Sequence, residues 1–259
     1  MRRLFYHLLL IAGISLQGVL HASIPDELNS ANQSLSAGHP AEALTAYQSV
    51  LSSPDFSNVS APEIWYNRGL AEEKSGDSLA ASLSYRRALL LDPTLTPART
   101  HLTSVLTLLG ISETTPWSGP LFIRFHPDLL VLGGAVLGWL GALALVVLVF
   151  SGRYRKNKRP GLIGLALAAL IFGHALSLLG AWADPRRLAG DQAIVSGKGE
   201  QTLRDTPADS AQAEGTLAPG SLITILSRNG AWWKISSGPK TGWIPSTAIT
   251  TLLPPAAGS

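Results

Sequence analysis

Two runs without a single Asp, Glu, Lys or Arg govern what this chain can fold into. The first is LLVLGGAVLGWLGALALVVLVF, Leu129 to Phe150, and the second is GLIGLALAALIFGHALSLLGAW, Gly161 to Trp182. At about 1.5 Å per residue, each is long enough as a helix to cross a hydrocarbon core of about 30 Å. The segment between them, residues 151–160, holds Arg153, Arg155, Lys156, Lys158 and Arg159. A short basic loop between two apolar spans is the charge pattern of a cytoplasmic loop. The predicted element is a transmembrane hairpin, with spans at 129–150 and 161–182.

That loop also accounts for the pI of about 9.3. Residues 23–110 carry nine acids against five bases, and residues 184–259 six against seven. Neither part has the basic excess that a phosphate backbone demands, so no nucleic-acid partner is expected. There is no cysteine among the 259 residues. Disulfides, thiolate metal sites and cysteine nucleophiles are thereby excluded.

The N-terminus, MRRLFYHLLLIAGISLQGVLHAS, has Arg2 and Arg3, then an apolar stretch, then Leu20-His21-Ala22. This is the pattern of a signal peptide over residues 1–22; the alternative is an uncleaved anchor. Either way the chain after about residue 25 is exported. With the basic loop inside, both flanking parts lie outside the cytoplasm. The expected location is a bacterial inner membrane with extracytoplasmic domains.

Residues 23–112 contain a repeat. SAGHPAEALTAYQSVLSSPD, from Ser36, aligns at an offset of 38 with KSGDSLAASLSYRRALLLDP, from Lys74. In the second copy Trp65, Gly69, Gly76, Ala81, Tyr85, Ala88 and Pro93 stand where a tetratricopeptide (TPR) motif places them, and the segment resembles a TPR hairpin. Gly69 and Ala81 are small where two helices cross, Gly76-Asp77 makes the turn, and Pro93 ends the second helix. The first copy keeps Ala31, Gly38, Ala43 and Tyr47 but has Glu27 in place of the Trp and Val50 in place of an Ala, as in a capping repeat. TPARTHLTSVLTLLG is expected to form a further covering helix that Gly110 stops. The resemblance implies a groove lined by the first helix of each hairpin, which puts Tyr66, Asn67, Leu70, Glu73 and Lys74 on the candidate protein-binding face. So short an array is expected to lean on a partner, on the membrane spans or on itself.

Within the spans, Gly134, Gly138 and Ala142, and likewise Ala169, Gly173, Ser177 and Ala181, recur every four residues. Such stripes let helix backbones approach closely. His174 is the one ionisable group in either span. An intramembrane ionisable residue is a candidate for function, yet neither span offers an acidic partner, which favours a neutral ring bonded to Ser177 or to a backbone carbonyl.

After residue 184 the period changes to two. SLITILSRNGAWWKISSGPKTGWIPSTAI alternates and is cut by Asn229-Gly230 and Ser237-Gly238-Pro239. Five or six short strands in a small barrel are expected. Trp232-Trp233-Lys234, Gly242-Trp243-Ile244-Pro245-Ser246 and LAPGSLITIL make residues 190–252 resemble an SH3 domain of the bacterial SH3b kind. The tyrosines that proline-rich ligands require are replaced by Leu203-Arg204-Asp205 and by Ala248, so PxxP binding is not expected. Trp232 is expected to be exposed, with Lys234 and Arg228 beside it and Trp233 and Ile235 turned inward. Trp232, Lys234, Trp243 and Pro245 are the candidate surface residues.

No constellation points to an enzyme: there is no P-loop, no HExxH, no GxSxG and no Gly-rich dinucleotide turn. Glu72-Glu73 is expected to be a solvated pair. No cofactor or metal is implied. The fold class is thus multidomain, with α-helical TPR hairpins, two transmembrane helices and a small all-β SH3-like barrel. The module order resembles the BatE-type proteins of bacterial aerotolerance operons. That likeness implies a non-catalytic scaffold or assembly factor working with membrane-anchored von Willebrand A-type proteins and a MoxR-type ATPase. The alternatives are a cell-wall sensor that binds peptidoglycan through SH3b and, third, a transporter accessory subunit using His174.

Overall fold

The computed structural model describes residues 23–53, 62–112, 127–150, 160–184 and 189–253. The signal segment and most of the basic loop lie outside these. The chain divides into two compact units. The first carries α1 (Ser23–Ser36), α2 (Pro40–Ser52), α3 (Pro62–Lys74), α4 (Ser78–Leu91) and α5 (Thr96–Leu108). The second carries α6 (Pro127–Phe150), α7 (Pro160–Ala183) and an antiparallel sheet.

The first unit is built from consecutive antiparallel pairs, α1 with α2 and α3 with α4. The same device ends α1, α3 and α5. Gly38, Gly76 and Gly110 adopt φ of 84°, 82° and 70°. The following N–H turns back onto the helix: His39 to the Ser34 carbonyl, Asp77 to Glu72 and Ile111 to Leu106, each at 2.9 Å. Only a residue without a Cβ enters this left-handed cap cheaply. Asp77 then starts α4, its Oδ1 accepting the Ala80 N–H at 2.9 Å. The helix ends at Leu91, two residues before Pro93.

Ala31, Ala43, Tyr47, Val50, Ile64 and Ala71 form one buried cluster, with Leu28, Leu35, Leu44 and Leu51 against it. Ala81, Tyr85, Ala88, Leu89, Leu102 and Val105 are also buried. Gly69 is the closest crossing, because a Cβ there would meet Tyr85 Cε1 at 2.6 Å. Trp65 is buried under two cations, with the Arg87 guanidinium 4.7 Å and that of Arg68 5.6 Å from its ring centre. Burial lowers the Arg87 pKa to about 10, with the nearby Arg68 charge acting in the same direction.

Glu72 corrects the expectation of a solvated acidic pair. It is only 4% exposed and accepts from Arg68 Nε at 2.8 Å and from Ser84 Oγ at 2.5 Å. A carboxylate so enclosed persists because it is paired and hydrogen-bonded.

In the second unit α6 and α7 are each long and apolar enough to cross a membrane. They pack against each other antiparallel through small residues, with a register that differs from strict four-residue stripes. Cβ atoms at Gly134 and Gly141 would strike the α7 backbone at Ser177 N and Leu170 N, both at 2.5 Å. A Cβ at Gly180 would meet Leu130 Cβ at 2.8 Å, and one at Gly173 would run into Gly138 N. Gly141, rather than Ala142, faces the partner; Ala142 and Ala169 are half-buried and Ala181 is exposed. A helix turn of 3.6 residues makes a steps-of-four stripe drift off the contact line, so the seam alternates steps of four and three.

The sheet has seven strands rather than five or six: β1 (Gln192–Val195), β2 (Gln201–Arg204), β3 (Ala213–Leu217), β4 (Leu222–Asn229), β5 (Trp232–Ser237), β6 (Lys240–Pro245) and β7 (Ile249–Thr251). Their order is β3-β2-β6-β5-β4-β1-β7, all antiparallel. Leu203 and Leu217 from one end of this order share a single core with Ala193, Val195, Ile223, Ile225, Ile235, Ile244 and Ala248. A flat sheet could not bring these together, so the sheet is curled around its apolar face.

Candidate functional site

The five residues singled out on α3 have different surroundings. Asn67 Nδ2 donates to Asn32 Oδ1 at 3.0 Å, and that same oxygen accepts the Tyr47 hydroxyl at 2.6 Å. This ties α3 to the α1–α2 pair. Burial pushes the Tyr47 pKa up to about 12. Glu73 Oε2 accepts the Tyr85 hydroxyl at 2.6 Å and lies 3.0 Å from His101 Nδ1. Burial first, and then the Glu73 carboxylate, push the Tyr85 pKa up strongly. The Tyr66 ring lies tilted to Tyr85 and edge-on to His101, with centroids at 6.0 and 5.9 Å. Tyr66 and Leu70 are half-buried and Lys74 is exposed. Asn67 and Glu73 are therefore engaged within the unit, while Leu70 and Lys74 keep accessible surface. His101, from α5, and Asn32, from α1, complete these networks. Neither stood out in sequence, because each belongs to a different helix from the residues it serves.

The four residues singled out in the sheet do come together. Alternation fixes their side: Ile235 and Ile244 are buried in the core, so Trp232 and Lys234 on β5 and Trp243 and Pro245 on β6 point to the outer face. The register then places Trp232 opposite Pro245 and Lys234 opposite Trp243. Directly opposed residues stand about 5 Å apart at Cβ. One row continues to Arg204 on β2, which pairs with Trp243, and the other to Asn229 on β4, which pairs with Trp232. The result is a patch of two indoles, a proline and two cations on three adjacent strands, bordered by Asn229 on β4. Arg204 is held by its own Nη1, which donates to the Ala211 carbonyl at 2.7 Å.

Two details differ from expectation. Trp232 is half-buried rather than fully exposed, because Pro245 and Asn229 flank it. Arg228 lies over Trp233, 5.0 Å from its ring centre, rather than beside Trp232. A bulge between Ile225 and Ser227 shifts the register by one residue, which pairs Arg228 with Trp233. It also leaves Leu226 outward and 54% exposed. Leu203 and Ala248, which stand in place of ligand-gripping tyrosines, are both core residues.

This sheet agrees with the comparison to known families. Residues 202–250 match the bacterial SH3 domain. The C-terminal domain is a bacterial SH3 domain. No curated protein and no solved structure matches the chain. The family match begins at β2, yet β1 belongs to the SH3b fold here, since it pairs with both β4 and β7.

Proposed function

We propose that this chain is a membrane-anchored, non-catalytic scaffold that binds partner proteins through its helical repeats and its SH3b domain. The observation that carries this reading is the SH3b outer patch of Trp232, Lys234, Trp243 and Pro245. Aromatic and cationic side chains grouped on a rigid sheet are the composition of a binding hot spot. The two apolar helices supply the anchor. Their surface residues Leu132, Leu143, Val147, Phe172 and Leu178 are exposed, which suits lipid and not the core of a water-soluble domain. The repeated glycine caps at Gly38, Gly76 and Gly110, the Gly69–Tyr85 crossing and the resemblance of 62–93 to a TPR hairpin support reading the first unit as a TPR array. Its groove surface then includes Leu70 and Lys74.

The module order supports a BatE-like role, with von Willebrand A-type membrane proteins as partners. The basic loop and the N-terminal segment support an inner-membrane protein with both modules outside the cytoplasm. Two indoles can also stack on sugar rings, which is the cell-wall reading. Salt separates the two, because exposed charges are screened over about 8 Å at physiological ionic strength. Co-purification of a protein partner with the full chain should fall as salt rises and be lost in Trp232→Ala. Salt-insensitive pelleting of the chain with purified peptidoglycan, lost in the same variant, would establish the sensor instead.

A further inference from the structure

The membrane hairpin carries a hydrogen-bond donor and an acceptor on its outer surface near the same depth. His174 Nδ1 lies 2.9 Å from the Leu170 carbonyl oxygen. A carbonyl only accepts, so in the neutral ring Nδ1 carries the proton and Nε2 is the acceptor. The ring packs over Gly138, where a Cβ would sit 2.6 Å from Nδ1; the side chain is otherwise exposed. Trp139, the next residue on α6, is 74% exposed. Its indole N–H, a donor only, has no hydrogen-bond partner among the described residues. Both residues lie near the middle of their 24-residue helices. Hydrocarbon leaves such groups nothing to bond to.

Their directions match as well as their depths. Gly138 and Gly173 face each other across the seam. Trp139 and His174 each come one residue later, rotated about 100° from that line. In two antiparallel helices this rotation leads to the same flank of the hairpin. A second copy inserted with the same topology is related by a twofold axis along the membrane normal. That operation preserves depth and sets α7 of one copy against α6 of the other, flank to flank.

We propose that the hairpin pairs with a second copy of this chain through this flank, Trp139 Nε1–H of each copy donating to His174 Nε2 of the other. The two bonds form together, satisfy all four polar groups in the bilayer, and set one register. Dimerisation also doubles the number of SH3b patches and helical arrays per particle. The inference rests on the membrane reading above.

The test uses the full chain in phosphatidylcholine liposomes, labelled for energy transfer and diluted with excess lipid. Alkaline carbonate extraction first reports membrane integration. The wild type should resist extraction and associate reversibly. Trp139→Phe and His174→Phe keep an apolar ring while removing the donor or the acceptor. Each should weaken association roughly tenfold, since either one breaks both symmetric bonds. The double variant should lose no more than either single one. The pairing is overturned if the wild type resists extraction but does not self-associate, which would assign the flank to a different protein. It is also overturned if neither substitution weakens association, or if their losses multiply. Extraction of the wild type by carbonate would overturn the membrane reading itself, and the pairing with it.

Discussion

At the scale of the residue, one glycine sets how closely α3 and α4 cross. Gly69 lets the Tyr85 ring lie against α3, and Tyr85 in turn carries its hydroxyl to Glu73. Gly69→Ala should force that ring aside and cost about 1–3 kcal/mol, the usual range for overpacking. Hydrogen exchange of the full chain should then show faster opening of α3 and α4 and an unchanged sheet. Unaltered protection in α3 would mean that the crossing is looser than the 2.6 Å approach of an added Cβ to Tyr85 implies. Gly69 and Tyr85 were both legible in sequence, since their spacing is that of a helical hairpin. The role of Glu72 was not. A pair of adjacent acids looks solvated in a linear reading, and only Arg68, one turn back on α3, and Ser84, from α4, make the burial of Glu72 tolerable.

At the scale of the element, the helices were legible to within a few residues, because glycine caps, a proline and the absence of charge mark their ends. The apolar helices expected at 129–150 and 161–182 run Pro127–Phe150 and Pro160–Ala183. What the pattern could not supply is register. Which glycine faces which depends on how the 3.6-residue turn drifts along a real contact, and so Gly141 replaces Ala142 on the seam. In the sheet, alternation identified the outer face of β5, but the bulge at Leu226 moved Arg228 from Trp232 to Trp233. Strand β1 carries a testable consequence. It is buried at all four positions and bridges β4 to β7. A fragment beginning at Gln201 contains the whole family match but lacks β1. Ile223 and Leu252, both fully buried in the intact domain, would lose that cover. A 189–253 fragment should give dispersed amide resonances and a cooperative melt. The 201–253 fragment should give neither, and a cooperative melt from it would show that β1 is dispensable.

At the scale of the whole molecule, the proposed function turns on which side of a membrane each part lies. Under the proposed function, an apolar hairpin with outward Leu, Val and Phe, an SH3b domain after it and a helical unit before it would present two binding modules from one anchor. That reading requires both modules on the same side, which an even number of spans between them provides. On the proposed reading, the charge of the loop puts that side outside the cytoplasm. The most direct measurement fuses a reporter active only outside the cytoplasm after Ser112, at Asn157 and after Ser259. Activity at Ser112 and Ser259 with silence at Asn157 is the expected result. Activity at Asn157, or opposite signals from Ser112 and Ser259, would contradict an exported scaffold on a two-span anchor.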